Sequence, residues 1–196
     1  MLKIIISLLM FGYVWPSYTA TANSRIAARP EESFDVNFKL KSFSPSQEEK
    51  LIRAVDLIKK VVRSSEFRER ILKHEYQGTL GFVDNDGRSN EEIYHLILEG
   101  AELLNPVKNS QMDVELELYY EPANTIGHTY PNVNSIWINT KYFDRFTPAQ
   151  VADNLFHEWL HKLGFKHEVK YSKKRRYSVP YAIGYLVREI AMKEVP

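Results

Sequence analysis

The sequence predicts an α+β fold, in which a small mixed sheet and several amphipathic helices form a single domain. Three segments, residues 34–40, 114–120 and 135–140, alternate apolar and polar side chains as a half-buried strand does. Five other segments have apolar side chains at helical spacing. Residues 33–196 contain no internal repeat and no long linker, and their length suits one domain with a sizeable core.

The first strand leads into the first helix. The apolar members of the strand are Phe34, Val36, Phe38 and Leu40. Ser44 followed by Pro45 predicts the start of the helix, because proline suits the first helical position. The apolar stripe of this helix consists of Leu51, Val55, Ile58 and Val62. A shorter amphipathic helix is expected from Glu66 to Lys73.

The middle of the chain predicts a turn, a helix and the second strand. Residues 84–87 predict a turn, since the residues after them lack the glutamate that a calcium loop needs. Ser89 and Glu92 form a capping box, and the helix that they open is expected to run to Leu104. The second strand extends from Val114 to Tyr120.

The last third of the chain predicts a strand followed by two helices. The strand covers Ser135 to Thr140, and Thr147 with Pro148 starts the next helix. The apolar side of that helix consists of Ala152, Leu155, Phe156, Trp159, Leu160 and Leu163. Pro180 is expected to begin the final helix, which covers Tyr181 to Glu194.

Residues 1–22 have the pattern of a secretory signal peptide, and residues 23–32 follow as a polar leader. A basic Lys3 precedes a short apolar stretch, which ends before small residues suited to cleavage. The apolar stretch is shorter than the roughly 20 residues that span a bilayer. We therefore expect an exported protein, periplasmic or extracellular, without a stable membrane anchor.

The charge balance gives no sign of a nucleic-acid partner. Residues 1–22 contain one charged side chain, Lys3, so the 26 basic and 25 acidic residues of the chain become 25 of each once these residues are removed. Proteins that bind phosphate backbones normally have a clear basic excess. The oligomeric state is left open by the sequence.

The residues from His157 to His167 have the pattern H-E-x-x-H-x-x-G-x-x-H. On a helix, His157 and His161 lie one above the other, and Gly164 can turn the chain so that His167 joins them. Glu158 is near enough to act on a metal-bound water without being a ligand. Three protein ligands leave one position of a zinc ion open, and the chain has no cysteine for a closed structural site. The pattern therefore predicts a single catalytic Zn²⁺.

The motif resembles that of the metzincin clan of zinc metallopeptidases, and residues 164–168, Gly-Phe-Lys-His-Glu, are similar to the astacin family in particular. The resemblance implies a zincin-like metallopeptidase domain, with His157, His161 and His167 as metal ligands and Glu158 as general base. Metzincins also place a methionine in a turn beneath the metal. The corresponding residues 177–181 contain no methionine, and the one downstream methionine, Met192, falls within the last predicted helix.

These features predict a secreted zinc metallopeptidase that hydrolyses a peptide or protein substrate. Zinc can lower the pKa of a bound water to about 7, and Glu158 would accept its proton and deliver it to the leaving amine. Tyr181 is an additional candidate, because some metzincins place a tyrosine just after the turn beneath the zinc. A tyrosine buried in the core is the alternative for Tyr181.

Several alternatives stay open at this point. Glu189 could replace His167 as third ligand, although a solvated helix residue is the simpler interpretation. His128 could lie in a cleft or in a surface loop. By the resemblance, the strand at residues 135–140 would be the sheet edge that pairs with substrate, with an interior strand as the alternative. The basic run at residues 170–176 predicts a solvated loop, or a surface that attracts acidic substrates.

A rival function belongs to a different class. The same motif could stabilise an exported binding domain that holds zinc and has no catalytic activity. Glu158 argues against this function, since a site that only binds metal through its three histidines would not need the Glu158 carboxylate.

Overall fold

The structure, a computed structural model, describes residues 33–194, so the predicted signal peptide and polar leader lie outside the described residues. The strands in this range are β1 (Asp35–Lys41), β2 (Glu75–Tyr76), β3 (Thr79–Leu80), β4 (Gln111–Tyr119), β5 (Gly127–Thr129) and β6 (Ser135–Asn139). The α-helices are α1 (Pro45–Arg63), α2 (Ser65–Leu72), α3 (Asn90–Glu99), α4 (Thr140–Phe143), α5 (Pro148–Lys162) and α6 (Val179–Ala191). The predicted α+β class is confirmed.

Four strands form a mixed sheet in the order β1-β4-β6-β5. The first three strands are parallel, and β5 pairs antiparallel with β6. The expectation that residues 135–140 form the sheet edge is therefore wrong, because β6 lies between β4 and β5. The edge position belongs to β5, a strand of three residues that is too short to show an alternating pattern.

The sheet has one apolar and one polar face. Alternate side chains of β4 are buried, and the apolar side chains of β1 join them in the core. On the opposite face, ion pairs cross between β1 and β4, with Lys39 3.2 Å from Glu115 and Lys41 2.7 Å from Glu117. The helices cover only the apolar face, which explains why strands of a parallel sheet alternate here instead of being apolar throughout.

The core is built around α5, which packs against α1 and α6. Trp159 is fully buried, with its ring 5.8 Å from Phe34 and 5.2 Å from Phe156. Phe156 in turn meets Phe67 of α2 edge to face. Aromatic side chains bury large apolar areas, so these contacts hold α5 rigidly between the sheet and the other helices. The opposite side of α5 is left to face a cleft.

The helix that begins after Ser89 is shorter than expected. Its capping box is present, but α3 ends at Glu99 and not at Leu104. Gly100 ends the helix with a φ of +66°, a left-handed conformation that favours glycine. A Cβ atom at Gly100 would also lie 2.1 Å from the carbonyl oxygen of Gln111, so β4 passes too close for any side chain. The final helix, α6, begins and ends a few residues earlier than expected.

Candidate metal centre

Helix α5 presents its apolar side to the core and two histidines to the cleft. Its start is stabilised by a capping box, in which Gln150 N–H donates to Thr147 Oγ1 and the Gln150 side chain accepts from the Thr147 backbone. Pro148 occupies the first turn, as predicted. His157 and His161 lie one turn apart, with their ring centroids separated by 5.1 Å.

The chain reverses after α5 at Gly164. Gly164 has a φ of +100°, and its N–H donates to the carbonyl of His161. The next N–H, that of Phe165, donates to the carbonyl of Leu160. This pair of bonds ends the helix and sends the chain back along it, which is the turn that the sequence predicted for this glycine. As a result, the ring of His167 lies 4.9 Å from that of His161 and 5.2 Å from that of His157.

The three imidazoles converge on one point. A nitrogen of each ring lies within 4.8 Å of a nitrogen of the other two, and Nε2 of His157 is 3.3 Å from Nε2 of His167. Among the residues that the structure describes, no other trio of potential ligand side chains meets in this way. The structure thus brings together the three ligands that the motif predicted.

Each imidazole is hydrogen-bonded to a backbone carbonyl. Nδ1 of His161 is 2.7 Å from the carbonyl of Phe165, and Nδ1 of His167 is 3.0 Å from that of Glu168. His157 is hydrogen-bonded to the backbone of Pro180, which offers only its carbonyl. The rings of His161 and His167 are therefore held as Nδ1–H donors, which leaves their Nε2 atoms without a proton and free to bind a metal.

The donor set fits zinc. Zn–N bonds of 2.0–2.1 Å in tetrahedral geometry place two ligand nitrogens about 3.3–3.4 Å apart, close to the separation of the two Nε2 atoms. Burial lowers the pKa of all three imidazoles, and that of His161 falls to about 4. The rings are neutral at physiological pH, as metal ligands must be.

Glu158 is buried at the boundary between two halves of the cleft. Its side chain is 5 % exposed, and it lines both halves. Burial raises the pKa of this carboxyl to about 8, against the opposing effect of the Lys162 ammonium. A dication held by the neighbouring histidines would favour the charged form. Glu158 and His157 line the same two halves of the cleft, so the carboxyl group borders the space beside the imidazoles.

Tyr181 lies beside the three histidines and not in the hydrophobic core. Its ring centroid is 4.5 Å from that of His157 and 4.7 Å from that of His167, and the side chain is half-buried. The phenol lines both halves of the cleft, and burial raises its pKa. The alternative of a core tyrosine is therefore wrong, whereas its catalytic role is still a prediction.

The cleft extends on both sides of Glu158. One half, of about 450 Å³, is lined by the ion pair between Asp153 and Arg188 together with Gln150 and Asn154. The other half, of about 470 Å³, includes His128. The backbone of β5 lies beside both halves at Gly127. His128 belongs to β5, where its ring stacks on Trp137 at 5.3 Å, so the surface-loop alternative is wrong for His128.

Two other candidates lie away from the centre. Glu189 is exposed and its carboxylate is 2.6 Å from Arg70, so the alternative third ligand does not reach the histidines. Met192 is 63 % exposed, so it does not lie beneath them either.

Sequence reasoning missed several charged residues of the cleft, and Asp153 and Arg175 are the two nearest to the proposed chemistry. Asp153 lies one helical turn before His157, and this spacing could have revealed it. Its pKa rises to about 6 because it is buried, although Arg188 opposes the rise. Arg175 was assigned to the solvated basic loop, but its guanidinium lies 4.6 Å above the ring of Tyr181 and lines both halves of the cleft. No pattern in the sequence distinguishes it from its basic neighbours.

No protein-family model matches the chain, and no curated protein is significantly similar to it. None of the helices within residues 33–194 combines the length and apolar character needed to cross a bilayer.

Proposed function

We propose that this protein is an exported zinc metallopeptidase with a zincin-like catalytic domain. The observation that carries the proposal is the convergence of His157, His161 and His167 beside the buried carboxylate of Glu158. Three neutral imidazoles and no fourth protein ligand are typical of catalytic zinc, whereas structural zinc is usually bound by four residues.

The chemistry of the proposal is divided between the ion and the protein. Bound zinc supplies a Lewis acid that polarises a carbonyl group and makes a water more acidic. Glu158 accepts the proton of the attacking water and later delivers it to the leaving amine. Because its carboxyl is almost fully buried, proton transfer takes place away from bulk water. Tyr181, whose ring lies beside those of His157 and His167, would donate a hydrogen bond to the carbonyl oxygen of the scissile bond.

The substrate is proposed to bind along β5. This strand forms the sheet edge nearest to the histidines, and an extended peptide can add to such an edge through backbone hydrogen bonds. The cleft continues on both sides of Glu158, so the substrate can extend in both directions from the bond that is cut. An internal peptide bond fits this arrangement, which supports an endopeptidase.

The test replaces Glu158 with glutamine. Glu158→Gln keeps the shape of the side chain and removes its ability to accept a proton, so zinc content should be unchanged and kcat should fall by about 10²- to 10⁴-fold. The matched control is Glu189→Gln, an exposed glutamate that pairs with Arg70 on the surface. Zinc is measured by mass spectrometry and cleavage with a peptide library.

The outcomes separate the two candidate functions. Full activity in Glu158→Gln would exclude the proposed mechanism. Stoichiometric zinc in the wild-type protein without cleavage of any peptide would favour the catalytically silent binding domain. The proposed export is tested separately, by the mass of the protein recovered outside the cytoplasm, and an intact Met1 there would exclude cleavage of residues 1–22.

A further inference from the structure

Arg175 is a cationic side chain beside the candidate metal centre, and it does not belong to the predicted motif. It contacts Tyr181, whose ring centroid lies 4.5 Å from that of His157 and 4.7 Å from that of His167. Its guanidinium packs on the face of Tyr181 at 4.6 Å and lines both halves of the cleft. The guanidinium therefore lies where a substrate would cross the centre.

The position of this guanidinium is held by its own loop. Nη1 donates to the carbonyl of Val169 at 3.0 Å, and the Arg175 backbone N–H donates to Ser172 Oγ at 3.2 Å. Glu168 anchors the same loop by accepting from Ser172 and pairing with Lys174. Nη2 has no hydrogen-bond partner within residues 33–194, so this donor is available to a ligand.

The charge of Arg175 works against metal binding. A cation beside three histidine ligands repels a dication, and none of the carboxylates within residues 33–194 forms an ion pair with Arg175. With zinc bound, the two charges of the ion and that of Arg175 exceed the opposing charges of Glu158 and Asp84, since Asp153 is paired with Arg188, so the centre has an excess of positive charge. Such an excess would favour negative charge that develops on a substrate oxygen in the cleft.

Resting on the proposed peptidase function, we propose that Arg175 is a catalytic residue, which donates from Nη2 to the carbonyl oxygen of the scissile bond as negative charge develops there. During attack, the water oxygen bonds to the carbonyl carbon, the water proton passes to Glu158, and the carbonyl π pair moves onto oxygen. The C–N bond then breaks and the proton on Glu158 passes to the amine. Arg175 neither gains nor loses a proton, and peptide plus water gives acid plus amine.

The experiment compares Arg175→Gln and Arg175→Lys with a matched control, Arg176→Gln. Arg176 is the next residue of the same basic run, and its guanidinium packs on Tyr177 without lining the cleft. For neutral peptides, Arg175→Gln should lower kcat by about 10- to 100-fold with little change in KM, because the contact strengthens only in the transition state. Arg175→Lys should retain part of the activity, and guanidinium ion should partly rescue Arg175→Ala.

Two further measurements do not depend on hydrolysis. Inorganic phosphate, a tetrahedral anion, should bind to the zinc-loaded protein, and Arg175→Gln should weaken this binding by about tenfold or more. Zinc affinity should be unchanged or higher in Arg175→Gln, since a repelling charge is removed. Arg176→Gln, the matched control outside the cleft, should leave phosphate affinity close to that of the wild type.

Each outcome decides between the two proposals. Equal kcat and equal phosphate affinity in Arg175→Gln and Arg176→Gln would overturn the role of Arg175 while leaving the peptidase intact. Loss of zinc from Arg175→Gln would also overturn it, since the residue would then be structural. A rise in KM of Arg175→Gln that is confined to acidic peptides would show that Arg175 binds a substrate carboxylate, and it would overturn the catalytic role. If phosphate binding depends on Arg175 but the protein cleaves no peptide, Arg175 binds anions and the proposed peptidase function is overturned.

Discussion

Zinc is expected to raise the melting temperature of this protein by about 5–11 °C when its free concentration is 100 times its Kd. A ligand that binds only the folded state at this excess adds about 2.7 kcal/mol to the free energy of unfolding. For a domain of 150–250 residues, each kcal/mol raises the melting temperature by about 2–4 °C. The structure describes 162 residues, from 33 to 194, so this range applies.

The structure explains why zinc binding should stabilise the fold. Burial already keeps His157, His161 and His167 neutral near pH 7, so none of these three rings has to release a proton when the ion binds. The rings are also held by backbone carbonyls before any ion arrives. The ordering of side chains on binding therefore costs little, and most of the binding free energy adds to stability.

The assay is thermal unfolding, followed by circular dichroism near pH 7.5 in zinc buffers and in EDTA. His161→Ala should abolish the shift, because two imidazoles bind zinc far more weakly than three. His95→Ala is the matched control, since the side chain of His95 is 60 % exposed on α3, and it should retain the full shift. A melting temperature that is the same in zinc and in EDTA would refute the convergence of three ligands, and a shift that survives His161→Ala would place the ion elsewhere.

Three further predictions concern stability alone. Burial raises the folded-state pKa of Asp153 to about 6 from 3.8, so its contribution to stability is present below pH 3.8 and is lost as the pH rises through 6. Asp153→Asn in EDTA should therefore raise the free energy of unfolding by about 3 kcal/mol at pH 8 and change it little at pH 4, whereas an equal effect at both pH values would contradict this cause. Gly100→Ala should lower the free energy of unfolding by at least about 3 kcal/mol, because the new Cβ atom would overlap a backbone carbonyl, whereas Gly78→Ala, with nothing within 4 Å at a similar positive φ, should lower it by about 1 kcal/mol. Equal losses of stability in urea unfolding would rule out the overlap. Trp159→Phe removes the buried 2.7 Å hydrogen bond from the indole N–H to Glu102 Oε1, which then keeps only the bond from the Asp113 N–H, while Glu102 Oε2 has no partner within the described residues. Urea unfolding should show a loss of about 2–4 kcal/mol, and a loss below about 1 kcal/mol would show that the bond from Asp113 is sufficient for Glu102.

The longer strands and helices were predictable because their signals are local. The alternating pattern of β1 and β4, the capping boxes of α3 and α5, and the proline starts all depend on residues close together in the chain. The end of α3 was mispredicted because the apolar spacing continues past Gly100. The approach of β4, which excludes a side chain at that point, is a contact between distant residues.

The edge of the sheet could not be predicted in the same way. A strand of three residues such as β5 carries no periodic signal, and only its pairing with β6 defines it as a strand. The hairpin of β2 and β3 is equally short and was also missed. In both cases the backbone hydrogen bonds, which a sequence pattern does not encode, decide the structure.

The sequence by itself determined the candidate ligands and the base, because a helix places residues four apart on one face and a glycine allows the chain to turn back within a few residues. Only the tertiary structure decided what surrounds them. Tyr181, Arg175 and β5 reach the histidines from separate elements, and their positions follow from the packing of α6 and of the sheet against α5. Short-range geometry is set by covalent spacing, whereas the surroundings of the site depend on contacts between segments that are distant in the chain.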